Sequence, residues 1–283
     1  MQGIKDSVKS VSQYVNVNLS SSRNGRSFTI PLVNNIGLPN FASDKSWFVD
    51  FLKALKFSPD AAFIDIGANV GQCIIAFRSC YENQTYYGFE PSPHCAFYIS
   101  KLVKANKLRN INLFPIGLSG SSGIMKFYAK DEAEQAATMV DDLRPGHYNS
   151  NDVSYIPVFP FDEIRPAEIT EIGLIKIDVE GAELYVLNGL VETIKKFNPV
   201  IACEVLDCHS AETNLETHQE RANAIVALMK SLGYRIFRIR LTGKLDFDEI
   251  QEIKLKQYTP ESHLQNDYLF LPAGKEIADC ISV

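Results

Sequence analysis

The chain has 283 residues, of which 46% are hydrophobic and 22% charged, and its formal net charge is −6. This composition is typical of a globular protein, and the acidic balance argues against a nucleic-acid partner. No apolar stretch approaches the roughly 20 residues that span a bilayer, and the amino terminus lacks the apolar core of a secretory signal. The six cysteines show no zinc-site spacing, so we expect a cytoplasmic protein.

Residues 1–58 are predicted to form an N-terminal cap, with a strand at 27–33 and a helix at 43–56, where apolar residues recur at helical spacing. From residue 59 to 283, strands and helices alternate. That pattern is typical of a parallel sheet with helices on both faces. We therefore predict an α/β fold with one main domain that follows the cap.

The alternation of strands and helices stops between residues 124 and 160. Strands are predicted at 124–129 and 153–159, and a polar loop at 130–152 separates them. Structureless loops of this length are often functional covers, so we predict a lid-like insertion at 124–160 and call residues 130–152 the lid loop. After the insertion we predict strands at 173–178, 200–205, 234–240 and 267–271, with helices at 184–195 and 220–232.

The first strand of the main domain ends in a turn that is typical of a ligand site. The sequence there is Phe63-Ile64-Asp65-Ile66-Gly67-Ala68-Asn69-Val70-Gly71. Its glycines let backbone approach a ligand, and the following helix offers free N–H groups to an anion. Asn69 stands where a dinucleotide fingerprint needs glycine, which disfavours NAD and favours S-adenosylmethionine, whose carboxylate is small. The alternative is a tight turn without a ligand.

The next predicted strand, Tyr86–Phe89, is followed by an acidic residue, Glu90. Its position after the first strand is that of the acid which meets ribose hydroxyls in nucleotide-binding βαβ units, since a carboxylate accepts hydrogen bonds from both vicinal hydroxyls. We predict this role for Glu90. The alternative is an exposed acid at a strand end.

Carboxylates follow other predicted strands as well, at Asp178 and Glu204. Ligands of open parallel sheets bind beyond the carboxyl ends of the strands, and an acidic mouth suits a positively charged sulfonium. Lys176 lies inside a buried strand, where an unpaired charge is expensive, so pairing with Asp178 is expected. Strand alternation would place Lys176, Asp178 and Glu180 on one side.

Four segments together resemble a known protein family over roughly residues 45 to 271. They are the turn at 63–71, Gly88-Phe89-Glu90-Pro91, Ile175-Lys176-Ile177-Asp178-Val179-Glu180-Gly181-Ala182-Glu183 and Asn266-Asp267-Tyr268-Leu269-Phe270. The chain resembles the FkbM family of S-adenosylmethionine-dependent methyltransferases. The resemblance implies a class I, Rossmann-like sheet of seven mostly parallel strands whose last strand runs antiparallel. It also implies methyl transfer, usually to a hydroxyl oxygen of a sugar or natural-product precursor.

The resemblance also assigns cofactor contacts by position. Asp65, Gly67, Asn69 and Gly71 would frame the methionine end and Glu90 the ribose, and Gly117 and Leu118 would lie near the adenine. The family usually has alanine where this chain has Gly117. The acceptor, a small molecule or saccharide, is not identified by any motif.

A hydroxyl acceptor is a poor nucleophile, so the site needs a base or a metal. Asp178 is the first candidate base, Glu180 the second and His209 the third, with Lys176 in support. One divalent metal held by Asp178 and Glu204 is the alternative, but no ligand spacing is diagnostic and no metal is predicted. Two rival functions remain open: a cofactor-binding module without catalysis, and an NAD-dependent oxidoreductase.

Overall fold

The computed structural model describes residues 16–34, 36–42, 46–131, 134–209, 211–241, 245–259 and 265–282. The chain begins with an antiparallel hairpin of β1 (Val17–Arg23) and β2 (Arg26–Leu32), followed by α1 (Leu38–Ala42) and α2 (Ser46–Ala54). The predicted strand at 27–33 and helix at 43–56 are present, although residues 43–45 lie outside the described part. β1 was not predicted, because its residues are mostly small and polar.

The elements of the main domain follow in chain order. They are β3 (Ala62–Ile66), α3 (Gln72–Cys80), β4 (Tyr86–Phe89), α4 (Pro93–Ala105), β5 (Ile111–Phe114), β6 (Gly117–Leu118), β7 (Gly123–Tyr128), β8 (Val153–Phe159), α5 (Phe161–Ile164), β9 (Ile172–Ile177), α6 (Glu183–Asn188), α7 (Val191–Phe197), β10 (Val200–Glu204), α8 (Ala211–Ser231), β11 (Tyr234–Leu241), β12 (Leu245–Ile250), β13 (Asp267–Pro272) and α9 (Ile277–Cys280).

The central sheet has the order β12-β11-β13-β10-β9-β3-β4-β5. Strands β3, β4, β5, β9 and β10 are parallel, and β13 runs antiparallel to its neighbours β10 and β11. The predicted α/β fold is therefore confirmed. The described strands of this sheet number eight rather than the predicted seven, because Leu245–Ile250 folds back on β11 as an antiparallel edge strand. This strand was not predicted, because three of its six residues are acidic.

Both faces of the sheet are buried, as alternation along the strands requires. Ile64, Ile175 and Ile201 pack on one face with residues of α6, α7 and α8. Phe63 and Leu174 pack on the opposite face with residues of α2 and α3. The N-terminal hairpin packs through β2 against α4. The domain boundary at residue 58 stays a prediction.

The predicted helix at 184–195 is wrong in one respect: it is two helices, α6 and α7, separated at Gly189. A Cβ on Gly189 would lie 2.2 Å from the carbonyl oxygen of Ser119. The backbone of a neighbouring segment therefore passes at this point, and only glycine leaves it room. The break is a tertiary effect that helical periodicity does not reveal.

The predicted strands on either side of the lid loop are present as β7 and β8, and they pair antiparallel. β6 adds to β8 in parallel and completes a separate three-stranded sheet. The strands of the insertion thus lie outside the central sheet, and the lid loop connects them beside the sheet's carboxyl edge. None of the described helices is long and apolar enough to cross a membrane.

Candidate functional site

A cavity of about 590 Å³ lies at the carboxyl ends of β3, β4, β9 and β10. Its size falls in the range of about 300–1,000 Å³ that is usual for small-molecule sites. Seven of the predicted site residues line it: Gly67, Asn69, Glu90, Gly117, Leu118, Asp178 and Glu180. The other three, Asp65, Gly71 and Lys176, are not among its described lining residues.

Asp65 lies beneath the cavity, fully buried. The Tyr86 hydroxyl donates a hydrogen bond of 2.5 Å to Asp65 Oδ2, and burial together with the Asp65 charge raises the pKa of Tyr86 well above its ordinary value. In the register of β3 and β9, Asp65 stands opposite Lys176. The structure thus places Asp65 under the turn, where it helps to hold two strand ends. Its predicted contact with the methionine end stays a prediction.

The turn after β3 is shaped by left-handed backbone at Gly67 (φ 88°), Asn69 (φ 45°) and Gly71 (φ 80°). A Cβ on Gly67 would lie 1.8 Å from the carbonyl oxygen of Asp178, and the Asp178 N–H donates to the Ile66 carbonyl at 3.0 Å. Gly67 therefore allows the two strand ends to touch. A Cβ on Gly71 would come within 2.9 Å of Leu102 on α4, which makes Gly71 a packing position.

Glu90 joins the turn to the end of β4. Its Oε2 accepts a hydrogen bond from the Asn69 N–H at 2.7 Å, and its Oε1 accepts one from the Ser92 N–H at 2.8 Å. Burial raises the pKa of Glu90 to about 7. Each carboxylate oxygen of Glu90 has a further lone pair. Because Glu90 lines the cavity, these oxygens can still accept hydrogen bonds from two vicinal hydroxyls of a ligand.

Gly117 and Leu118 form β6, beside the apolar side chain of Phe127 on the cavity wall. A Cβ on Gly117 would lie 3.0 Å from Val158 Cγ1 and 3.2 Å from Ile156 Cδ1. The alanine usual in the resembling family would therefore crowd β8 unless these side chains moved. Glycine at position 117 therefore relieves crowding against β8. It also leaves this part of the cavity wall apolar, which suits the planar ring of an adenine.

The predicted ion pair at the end of β9 is present. Lys176 Nζ donates a hydrogen bond of 2.7 Å to Asp178 Oδ2, and Lys176 is 4% exposed. Burial alone would lower the pKa of Lys176, but the charge and hydrogen bond of Asp178, together with the charges of Cys73 and Asp65, outweigh it, and the pKa rises above its ordinary value. Lys176 is thus a charged group beneath the cavity that holds Asp178 in place.

The strand geometry ends before Glu180, so alternation along the strand does not explain how this side chain reaches the site. β9 ends at Ile177, and the chain turns through left-handed backbone at Glu180 (φ 52°) and Gly181 (φ 94°). This turn still brings Glu180 to the cavity. Carboxylate oxygens of Asp178, Glu180 and Glu204 lie within 4.8 Å of one another. The final acid of the motif, Glu183, instead accepts from the Gly181 N–H at 2.8 Å and braces the turn.

Glu204 ends β10 and shares a hydrogen bond with Asp178. Burial and the adjacent Asp178 charge raise the pKa of Glu204 well above its ordinary value. The protonated form of Glu204 is therefore favoured relative to that of an isolated carboxyl group. Three carboxylates at this spacing are also a possible ligand set for a hard cation, although Lys176 already pairs with Asp178 and Arg144 with Glu180.

The lid loop lies over the acidic end of the cavity. The Arg144 guanidinium forms an ion pair with Glu180, and Thr138 Oγ1 donates to the Glu180 carbonyl at 2.5 Å. Residues 134–139 and Arg144 line the cavity. The sequence did not single out Arg144, because one arginine in a polar loop carries no periodic or spacing signal.

Two aromatic residues complete the cavity near Glu204. His209 and Tyr258 both line it, and their rings stack with centroids 4.3 Å apart. Burial and the Arg144 charge lower the pKa of His209, so its imidazole is neutral at neutral pH. His209 was the third candidate base in the sequence. Tyr258 was missed, because it stands far from every motif.

We predict that the lid loop opens more readily when Arg144 is changed. Side-chain contacts such as those of Arg144 with Glu180 and Asp142 with Arg221 hold the loop to the body in place of a continuous strand ladder, so amide exchange in residues 134–152 should be fast without ligand and slower with S-adenosylhomocysteine. Arg144→Gln should speed it further, whereas Arg240→Gln, which breaks an exposed ion pair with Asp248, should not. Strong protection of this segment in the ligand-free protein would contradict a mobile cover.

We predict that Glu90→Gln weakens S-adenosylhomocysteine binding by about 1.5–3 kcal/mol, because a charged acceptor is lost. The ionised form binds hydroxyls best and Glu90 titrates near 7, so affinity should fall as pH decreases from 8 to 6, and Glu90→Gln should remove that dependence. Glu183→Gln is the matched control, since Glu183 is equally buried and has a pKa of about 7, but lies outside the cavity lining. Equal affinity of wild type and Glu90→Gln, measured by calorimetry, would remove the ribose assignment.

A family model, the methyltransferase FkbM domain, matches residues 65–236, which is more than half of the chain. The matched stretch begins at Asp65 and contains Glu90, the insertion and the motif at 175–183. It ends in β11, before Tyr258.

Curated relatives of the chain are methyltransferases. Methyltransferase 1 of Beauveria bassiana is 26% identical over 166 residues, which cover 52% of this chain and 65% of that protein. Hexuronic acid methyltransferase AglP of Haloferax volcanii is 27% identical over 147 residues, which cover 50% of this chain and 55% of that protein. Neither alignment reaches two thirds of the relative's own length.

Among solved structures, the chain is similar to a methyltransferase FkbM from Methylobacillus flagellatus KT. The TM-score is 0.45 at 17% identity, and the match covers 76% of this chain and 44% of that one.

Proposed function

Because the chain belongs to the FkbM methyltransferase domain family, we propose that it transfers a methyl group from S-adenosylmethionine to a hydroxyl oxygen of a small molecule or saccharide. The observation that carries the proposal is the pairing of two half-sites in one cavity. Asn69 and Glu90 lie at one end, and the Asp178–Glu204 pair lies at the other. The relative named as a hexuronic acid methyltransferase supports a saccharide acceptor. A cytoplasmic location stays a prediction.

The cofactor half is formed by the turn after β3, the end of β4 and β6. Glu90 accepts hydrogen bonds from the ribose hydroxyls, and Leu118 and Phe127 provide an apolar wall for the adenine. The left-handed conformation of Asn69 shapes the turn, which would bind the methionine end of the cofactor. The family membership implies S-adenosylmethionine, which supplies an electrophilic methyl group on a sulfonium.

The acceptor half supplies a place for the acceptor proton. Asp178 takes this proton as the oxygen–carbon bond forms and the carbon–sulfur bond breaks, and the sulfur is left as a neutral thioether. Burial and the Asp178 charge favour a proton on Glu204, and Lys176 forms an ion pair with Asp178, so we assign the acceptor proton to Asp178. Lys176 orients the Asp178 carboxylate through its hydrogen bond of 2.7 Å.

Alignment of the two half-sites is a second source of catalysis. In well-oriented systems, fixing both reactants lowers the barrier by about 7–11 kcal/mol. The contact between the backbone of Gly67 and that of Asp178 fixes the spacing between the cofactor turn and the base. The lid loop, pinned through Arg144, would exclude water from the closed site.

A metal-assisted version of the same reaction is the second candidate, carried by the clustering of Asp178, Glu180 and Glu204. A cation on these oxygens would lower the pKa of the acceptor hydroxyl. It would also have to displace Lys176 and Arg144 from their ion pairs, and therefore we favour the version in which Asp178 acts as a base.

Calorimetry of the purified chain with S-adenosylmethionine, S-adenosylhomocysteine and NAD tests the cofactor. We expect the first two to bind and NAD not to bind. Transfer of a labelled methyl group from S-adenosylmethionine to members of a set of glycosides and hydroxylated small molecules then tests the reaction. Cofactor binding without transfer to any of them would favour a non-catalytic module. Activity that survives chelator treatment would exclude an accessible, essential metal.

A further inference from the structure

We infer that His209 and Tyr258, the aromatic shelf, form the acceptor subsite, and that the part of the acceptor lying on this shelf is an uncharged ring with hydroxyl groups. The inference rests on the proposed function, because it identifies the chemistry of the acceptor for the same cavity. His209 lies inside the stretch that matches the family model, and Tyr258 lies outside it.

The aromatic shelf is held rigidly by backbone. The two rings stack with centroids 4.3 Å apart and planes inclined by 23°. The Tyr258 N–H donates to the Cys208 carbonyl at 2.8 Å, and the Cys208 N–H donates to the Lys256 carbonyl at 2.9 Å. These two hydrogen bonds tie the segment after β10 to the segment that carries Tyr258. A shelf fixed in this way binds a ring without first paying the entropy of ordering its side chains.

The position of the aromatic shelf is that of an acceptor subsite. His209 follows β10 closely, so the shelf lies on the side of the cavity that carries Glu204 and Asp178, away from Glu90 and β4. An aromatic face is electron-rich and attracts the C–H groups on the flat side of a saturated ring. The neighbouring carboxyl groups can hydrogen-bond the hydroxyls at its edge. Together they recognise a polyhydroxylated ring.

The charge of the cavity indicates that this ring is uncharged. Six of the described lining residues carry carboxyl groups: Glu90, Asp131, Glu134, Asp178, Glu180 and Glu204. Arg144 carries the only guanidinium or ammonium group among the described lining residues, and it is paired with Glu180. A carboxylate on the acceptor would find no unpaired guanidinium or ammonium group among the described lining residues. A cationic acceptor would instead be repelled by the sulfonium of the cofactor in the adjacent half.

Because His209 stacks on Tyr258, substitutions of His209 can distinguish a role in binding the acceptor from a role as the base. His209→Phe keeps an aromatic ring on Tyr258 but cannot take a proton. If His209 acts as a shelf, His209→Leu weakens acceptor binding about tenfold, and His209→Phe weakens it less because an aromatic ring remains. Loss of turnover in His209→Phe with unchanged acceptor binding would make His209 the base and would overturn its assignment to the shelf.

Saturation-transfer NMR on the full chain with S-adenosylhomocysteine tests the subsite. The probes are the methyl glycosides of glucose, galactose, mannose and N-acetylglucosamine, with methyl glucuronoside as the anion. Methyl glucosaminide, the cation, is compared with the same neutral glycosides in the presence of sinefungin, an unreactive analogue that carries an ammonium group in place of the sulfonium. We expect at least one neutral glycoside to bind more tightly than both charged ones. Tyr258→Leu should weaken its binding about tenfold, whereas Tyr258→Phe, and Tyr155→Ala at an exposed tyrosine outside the cavity, should not.

The outcomes separate this inference from the proposed function. If the wild type binds S-adenosylhomocysteine but no neutral glycoside, or binds the glucuronoside best, the inference fails and the proposed function stands. Unchanged glycoside binding in Tyr258→Leu also overturns it, and so does loss of S-adenosylhomocysteine binding in that variant, because the shelf would then serve the cofactor half. If the wild type binds no S-adenosylhomocysteine, the proposed function itself fails.

Discussion

Asp178→Asn is expected to lower the turnover number by about a hundredfold or more, because it removes the group that takes the acceptor proton. The substitution keeps the shape of the side chain and its place against the backbone of Gly67. Affinity for S-adenosylhomocysteine, measured by calorimetry, should change little, since Glu90 and the turn after β3 form the cofactor half. Near-normal turnover in this variant would leave Asp178 as a structural partner of Lys176.

The stability of Asp178→Asn needs its own control, because Lys176 is buried and keeps its charge when its partner is neutralised. Breaking a buried ion pair from one side commonly costs about 3–5 kcal/mol. The double variant Lys176→Met/Asp178→Asn removes both charges, and its free energy of unfolding should recover toward that of the wild type. If Asp178 is the base, the double variant recovers stability but not turnover. Recovery of turnover in the double variant would mean that the single variant lost activity by unfolding alone.

The cofactor half could be predicted from the sequence because its determinants are local. The turn from Asp65 to Gly71 and the acid after β4 each stand at the end of one strand, and strand ends of a parallel sheet meet at one edge. The structure adds the physical reasons: Gly67 accommodates the backbone of Asp178, and Glu90 binds the Asn69 N–H.

The acceptor half could be predicted only in part. Asp178 and Glu204 end neighbouring strands and were found, but Glu180 reaches the cavity through a left-handed turn that period-two alternation does not describe. Arg144 and Tyr258 come from segments that belong to no strand or helix. An ion pair with Glu180 brings Arg144 to the site, and backbone hydrogen bonds with the segment after β10 bring Tyr258 there. For the same reason the break between α6 and α7 was missed, since it depends on a contact between Gly189 and Ser119.

The polar and charged side chains at the sheet edge form two layers. The lower layer is buried and consists of Tyr86, Asp65 and Lys176. It fixes the upper layer, in which Asp178 and Glu204 face the cavity. Because both layers depend on β3 and β9 ending side by side, the smallest change that separates these strands should disturb cofactor binding and proton transfer together.

Gly67→Ala is that change, and we expect it to lower the free energy of unfolding by about 4 kcal/mol or more. Its Cβ would lie 1.8 Å from the Asp178 carbonyl oxygen, and a backbone atom held by the Asp178–Ile66 hydrogen bond cannot move aside alone. Gly25→Ala is the matched control. Gly25 has a similar φ of 74° with no atom within 4 Å of the added Cβ, so it should lose only about 1–2 kcal/mol through left-handed strain. Urea unfolding of both variants measures the difference, and calorimetry should show that Gly67→Ala loses S-adenosylhomocysteine binding while Gly25→Ala keeps it. Equal destabilisation of the two would mean that the contact between the strand ends does not hold the site together.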